Sequence, residues 1–260
     1  MTESKPPSAL PLPAATRRLA FISDLHLDSS LPHTLQRFLQ FLQALPAQAD
    51  ALFILGDLFE YWAGDDDGER GINRTVIEAL RSLAKSGVTV YLQHGNRDFL
   101  LGEQFAQHSG VQLLPEAIVL HTAQEKILVL HGDTLCTDDV AYQQFRTQVR
   151  TPQWQADFLA QPLPQRLAYI DMLRQHSTQE KQHKPMTIMD VNAAAVNQAL
   201  QTAGCSKLIH GHTHRPATHR WNAGGQDYER WVLSDWDFDH PPLRGNALMI
   251  ADGVWHWEAL

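Results

Sequence analysis

The sequence predicts an α/β fold: a largely parallel sheet of crossover units, interrupted late in the chain by a helical cap. Two patterns carry this expectation. Short apolar runs alternate with helix-period segments from residue 18 to about residue 131, and a strandless stretch over about 139–186 precedes a second set of strands. The chain has 260 residues, 43% of them hydrophobic, which is enough for one large core. A net charge of −8 excludes a general nucleic-acid binder, because phosphate neutralisation needs a basic face. Two cysteines rule out a disulfide framework and fit a reducing compartment. No apolar run reaches the ~20 residues of a membrane-spanning helix.

Residues 1–16 contain four prolines and read as a flexible tail, with a single domain over 17–260. RLAFIS (18–23), ALFIL (51–55), VTVYLQ (88–93) and ILVLH (127–131) read as buried strands. Leu35, Phe38, Leu39 and Leu42 mark an amphipathic helix between the first two. Val76, Ile77, Leu80, Leu83 and Ala84 mark another before the third, stopped at Gly87. Within the cap, Pro152, Pro162 and Pro164 are placed as first-turn residues of helices. A further helix is expected over 187–203, opened by Thr187 and closed by Gly204. KLIH (207–210), ATHRW (217–221), RWVLS (230–234) and NALMIA (246–251) complete the strand set.

Five short motifs fall just beyond the carboxyl ends of these strands. They are SDLHL with Asp24 and His26, GDLFEYW with Asp57, GNRDF with Asn96 and Arg97, HGD with His131, and GHTHRP with His212 and His214. Open α/β sheets bind ligands at that edge, so the five converge. Each alone is weak, since Gly-Asp pairs also make turns. Together they supply seven oxygen and nitrogen donors, too many for one ion unless a carboxylate bridges two, and Asp57 is the natural bridge. A donor set without thiolate suits Mn, Fe or Zn. Two such ions activate water and clamp phosphoryl oxygens, which points to hydrolysis of a phosphate ester or anhydride. His94 and His210 flank the site as supports. Most of the 14 histidines lie off these motifs and read as solvated, and Cys136 reads as packing.

These motifs resemble those of the calcineurin-like metallophosphoesterases, D-x-H, G-D, G-N-H, H and G-H-x-H, over nearly the whole chain from Arg18. The resemblance implies a four-layer αββα sandwich with a helical cap insertion and a dinuclear centre. Asp24, His26, Asp57 and His214 would hold one ion, and Asp57, Asn96, His131 and His212 the other. Asp57, Asn96 and Arg97 are the expected catalytic residues. Arg97 stands where the wider family has His. A phosphate leaving group needs no proton donor, whereas an alkoxide does, so a bidentate phosphate clamp at this position favours a diphosphate substrate.

GNRDFL, HGDTLCTDD, IMDVN and GHTHRP together resemble one branch, which acts on a UDP-linked diacylglucosamine in lipid A biosynthesis. That branch implies water attack on the α-phosphorus, UMP and lipid X as products, and two Mn²⁺ per chain. It also implies substrate contacts at Asn96, Arg97, Asp139, Ser177, Lys181, Lys184 and His212, although Lys181 replaces a common Asn. A monomeric cytoplasmic enzyme at the inner-membrane face follows. Leu159, Leu163, Leu167, Tyr169, Ile170, Met172 and Leu173 are candidates for an acyl chamber, and Arg146, Arg150, Arg166 and Arg174 for docking on anionic lipid. The rival readings are a nucleotide phosphodiesterase or dinucleotide polyphosphate hydrolase with the same core, and a metal-free scaffold. The complete donor set disfavours the scaffold.

Overall fold

A computed structural model describes residues 6–181 and 190–260, without the side chains of 175–181. The chain opens with β1 (Ser8–Pro11), β2 (Arg18–Ile22), α1 (Pro32–Ala44), β3 (Ala51–Ile54), α2 (Gly71–Lys85), β4 (Thr89–Gln93), α3 (Glu103–Ser109) and β5 (Gln112–Leu114). A hairpin of β6 (Ala117–His121) and β7 (Lys126–Leu130) leads into the cap helices α4 (Val140–Val149), α5 (Pro152–Leu159) and α6 (Leu163–Lys181). After α7 (Ala193–Ala203) come β8 (Lys207–His210), β9 (Ala217–Ala223), β10 (Gln226–Val232), β11 (Asn246–Ala251) and β12 (Val254–Ala259).

The strands form two six-stranded sheets, β12-β11-β2-β3-β4-β5 and β1-β6-β7-β8-β10-β9. Period-two alternation then sorts the side chains into three apolar layers. Leu19 and Phe21 of β2, Phe53 of β3 and Tyr91 of β4 point inward and meet Leu120, Val129 and Ile209 of the facing sheet. Their neighbours Ala20, Ile22, Leu52 and Leu92 point outward beneath α1, α2 and α3. On the far side, Leu128, Leu130 and Leu208 pack under Val196 and Leu200 of α7. Helix, sheet, sheet, helix is the resulting order, the expected four-layer sandwich.

Several sequence expectations change. Residues 8–11 are not tail: Ser8–Pro11 pairs in parallel with β6, and Leu10 and Leu12 pack against the inter-sheet core. β1 is an edge strand, where proline costs no ladder hydrogen bond. The helix expected from Thr187 starts at Ala193 instead, because the Asn192 side chain accepts from the amides of Ala194 and Ala195; Thr187 lies outside the described residues. On α1, Phe41 is buried where Leu39 was expected.

The cap arginines are not a lipid-docking surface. Arg166 is buried, donating to the Ala63 carbonyl and pairing with Asp66. Arg146 lies 2.7 Å from buried Asp133, and Arg150 donates to the Gly95 carbonyl at 2.7 Å. Arg174 turns inward, 3.3 Å from Glu60 and over the Tyr61 ring. These side chains bolt the cap to the core rather than face a bilayer.

The inter-sheet layer gives a stability test. Phe53 is stacked between Phe21 and Tyr91, each with ring centroids 4.8 Å away. Phe53→Ala is expected to cost about 3–5 kcal/mol in chemical denaturation, because neither neighbour can close the cavity. A loss below about 1 kcal/mol would contradict this packing.

Candidate metal centre and active site

Five loops bring the sequence-predicted residues together at one edge of both sheets. Asp24 and His26 follow β2, Asp57 follows β3, Asn96 and Arg97 follow β4, His131 follows β7, and His212 and His214 follow β8. Backbone hydrogen bonds continue between these loops past the strand ends. Asp24 N donates to Gly56 O at 3.1 Å, His26 N to Asp57 O at 3.0 Å, and Gly211 N to His131 O at 2.8 Å. The backbone itself is unusual here. Asp24, His26, Asp57, His212 and His214 all have φ between 48° and 66°, and only Asp252 joins them among described non-glycine residues. Left-handed non-glycine backbone costs of order 1–2 kcal/mol per residue, so its concentration on these five marks a site where function holds strain in place.

The donor atoms converge closely. His26 Nε2 and His214 Nε2 are 3.2 Å apart, and His214 Nε2 is 3.5 Å from Asp24 Oδ1. Asp57 Oδ2 stands between two histidines, 3.8 Å from His26 Nε2 and 3.7 Å from His131 Nε2. Asn96 Oδ1 is 3.2 Å from His131 Nε2, and the His212 ring centroid is 5.0 Å from that of His131. Donors about 2.1 Å from one ion sit about 3.0–3.4 Å from each other, so the two 3.2 Å pairs match shared ligation and the 3.5–3.8 Å pairs lie a few tenths of an ångström beyond it. Two clusters have ligand atoms mutually within 4.8 Å: Asp24, His26 and His214, and Asp24, Asp57 and His131. Asp24, not only Asp57, therefore lies between the two groups. Its Oδ1 is buried with no hydrogen-bond partner, while Oδ2 accepts from Ser23 Oγ and His212 N. An orphaned carboxylate oxygen in the interior is costly unless a cation meets it.

The electrostatics point the same way. Burial alone would push the Asp24 carboxyl up, but the adjacent His214, with His131 and His26, holds it well below the carboxylate range. Burial opposes charge on His131, yet Asp57, Asp24 and Asp133 raise it to about 9. His212, buried and beside His131, is lowered to about 4. The cluster thus holds Asp24 as a carboxylate and pulls positive charge onto His131, a demand that a bound cation can meet in place of that proton, while His212 is left neutral as a ligand.

Residues outside the expected set orient these donors. His131 Nδ1 donates to the Leu55 carbonyl at 2.7 Å, which leaves Nε2 facing the cluster. Asp98 accepts from the amides of Gly95, Asp57 and Leu58, tying the β3 and β4 loops together. Glu60 lies 3.0 Å from His26 Nδ1, and Asp235 lies 3.5 Å from His214 Nδ1 while accepting from Arg244 at 2.6 Å. The His94 ring contacts the Leu101 carbonyl, and His210, buried beside Gly211, is lowered to about 3 and stays neutral. Burial pushes the Cys136 thiol up to about 12, which suits packing rather than nucleophilic chemistry.

A cavity of about 850 Å³ runs from this cluster under the cap. His26, Asp57, Asn96, Arg97, His212 and His214 line one end. The other end is apolar, with Phe99, Trp154, Phe158, Tyr169, Ile170 and Leu173. Of the expected acyl-chamber residues, Tyr169, Ile170 and Leu173 line it, whereas Leu159 and Met172 are exposed and Leu163 and Leu167 are not on its wall. Phe99, Trp154 and Phe158 went unrecognised, although the Trp154 and Phe158 rings stack at 4.9 Å. Asp139 lines the cavity while capping α4 through the Tyr142 amide. Lys184 lies outside the described residues, as do the side chains of Ser177 and Lys181.

The chain belongs to the calcineurin-like phosphoesterase family, whose model matches residues 17–216. It is a metal-dependent hydrolase of that class. Within the class its relatives are proteins named UDP-2,3-diacylglucosamine hydrolase. One from Aromatoleum aromaticum is 51% identical over 224 residues, covering 86% of this chain and 91% of that one. A Bordetella pertussis relative is 48% identical, covering 89% and 91%. A Serratia proteamaculans relative is 49% identical, covering 87% and 94%.

The geometry predicts a sharp steric effect. A Cβ at Gly211 would overlap both Asp24 Oδ2 and Ser23 Oγ, which lie where it must go. Gly211→Ala is expected to weaken Mn²⁺ binding by about 10–100-fold, read by calorimetry, because it displaces a ligand rather than the core. Unchanged affinity would contradict the placement of Asp24.

Proposed function

We propose that the chain hydrolyses the diphosphate of UDP-2,3-diacylglucosamine by water attack on the α-phosphorus, giving UMP and 2,3-diacylglucosamine 1-phosphate, lipid X. The observation that carries this reading is one cavity with two chemistries: carboxylate and histidine donors at one end, stacked aromatics at the other. A nucleobase would use one aromatic face, whereas the aliphatic Leu100, Ile170 and Leu173 beside Phe99, Trp154 and Phe158 favour acyl chains. Each buried CH₂ is worth ~0.8 kcal/mol, so two acyl chains bind strongly in such a chamber.

Two Mn²⁺ are the proposed cofactors. Asp24, His26, Asp57 and His214 would hold one and Asp57, Asn96, His131 and His212 the other, a reading supported by the position of Asp57 Oδ2 between His26 and His131. When bound, such ions supply an acidified water and charge stabilisation at phosphoryl oxygens. The remaining work falls to the protein. Arg97 reaches the cavity from a loop whose own amide donates to Asp57 Oδ1 at 2.8 Å, so its guanidinium is indexed to the Asp57 carboxylate. There it clamps the diphosphate bidentately and neutralises charge on the departing phosphate, which needs no proton. Asn96 and His212 contact the same phosphates, and Asp139 faces the glucosamine. Ser177, Lys181 and Lys184 complete the sugar and phosphate contacts in this reading. The cap closes over the acyl chains and excludes water from the far end.

Contact with the inner-membrane face is part of the proposal. Its support is the cap, which carries Val140, Phe145, Leu159 and Met172 among the exposed large apolar side chains, with Phe145 also on the cavity wall. No described helix is long and apolar enough to cross a membrane.

Hydrolysis in ¹⁸O-water with Mn²⁺ tests the reaction. The label is expected in UMP, and label in the lipid phosphate would overturn attack at the α-phosphorus. Chelation should abolish turnover and Mn²⁺ restore it. Asp57→Ala should reduce activity to background, whereas Arg97→Ala should lower turnover with the bound metal unchanged. Loss of metal in the Arg97 variant would assign that residue to the metal centre instead.

A further inference from the structure

We propose that Glu60 is a positioning residue that fixes His26 as a ligand and, through its second oxygen, fixes Arg97 and cap residue Arg174 at the same cavity. The inference rests on the reading of His26 as a metal ligand. A ligating histidine needs its other ring nitrogen held, or its tautomer and plane wander. His131 has the Leu55 carbonyl for this purpose. His26 has Glu60: Oε2 is 3.0 Å from Nδ1 at an ion-pair separation, and that buried nitrogen has no hydrogen-bond partner among the described residues, so the carboxylate is the group that meets it while Nε2 faces His214 and Asp57.

The other carboxylate oxygen looks the opposite way. Glu60 Oε1 is 3.3 Å from Arg174 Nε and 3.7 Å from Arg97 Nη1. One side chain thus touches a metal-facing ring, a phosphate-facing guanidinium and the cap helix α6. Its placement follows from the backbone. Leu27 N donates to Leu58 O at 2.9 Å and Glu60 N to Leu27 O at 3.2 Å, so the segments after β2 and β3 stay paired well beyond the strand ends at Ile22 and Ile54. Phe59, fully buried against Trp62 at 4.8 Å between ring centroids, anchors the turn from inside. Glu60 is therefore delivered beside His26 by the same register that sets Asp57.

The two oxygens make the roles separable. In Glu60→Gln the amide oxygen still faces His26 Nδ1, but the amide NH₂ confronts two guanidiniums. Calorimetric Mn²⁺ titration of wild type, Glu60→Gln and Glu60→Ala, paired with steady-state kinetics, tests this. Affinity should fall about 10–100-fold in the Ala variant and stay within about twofold in the Gln variant. KM should rise severalfold in both. Ala binding Mn²⁺ as tightly as wild type, or Gln losing as much affinity as Ala, would overturn the proposal. If the Ala variant does not fold, the Gln variant decides: retained affinity with raised KM supports the assignment, and unchanged KM overturns it. Failure of wild type itself to bind Mn²⁺ would instead overturn the metal reading beneath it.

Discussion

The arrangement depends on one electrostatic constraint: two carboxylates, Asp24 and Asp57, are buried at the meeting edge of two sheets where water cannot solvate them. Such charges survive only when met by opposite charge and by directed hydrogen bonds. Every unusual feature nearby serves that requirement. The left-handed backbone at five donor residues aims side chains into one volume, and Gly95 and Gly211 leave room for the carboxylates. The His26 and His214 Nε2 atoms stand 3.2 Å apart, a separation that two ligands of one cation also adopt. A fold without this demand would relax the strain, and the loops would lose their register.

Much of this was legible in the sequence because it is local. The buried strands announce themselves as short apolar runs, and the site motifs sit directly at their ends, so order along the chain becomes proximity in space. The supports were harder to read. Glu60, Asp98 and Asp235 look like ordinary surface acids in GDLFE, NRDF and SDWDF, and only the paired backbone shows what they face. Four strands were also missed, each for a physical reason. β1 carries proline and gains its apolar partners only at the sheet edge. β5 is three residues long. β6 joins β7 through Thr122–Glu125, which lacks any glycine or proline signal, whereas β12 follows an Asp252-Gly253 turn with positive φ at both residues that was available to be read.

The cap shows the opposite limit. Its apolar residues follow no clean helical stripe, because they serve two surfaces at once. Trp154, Phe158 and Tyr169 face the cavity, while Leu159 and Met172 face outward. Its arginines, which look like a basic patch in sequence, are spent on acids and carbonyls of the core. Charge in sequence reports composition, and only packing reports whether that charge is available. Glu60 joins the two halves, since the acid beside His26 Nδ1 also meets the cap at Arg174.

The central claim is that two cations share the buried carboxylates. Anomalous diffraction at the manganese edge from crystals equilibrated with Mn²⁺ tests it most directly. The account predicts two peaks about 3.5–4 Å apart, flanking Asp57 and within bonding reach of the histidine Nε2 atoms. One peak, or two placed away from Asp24 and Asp57, would contradict it.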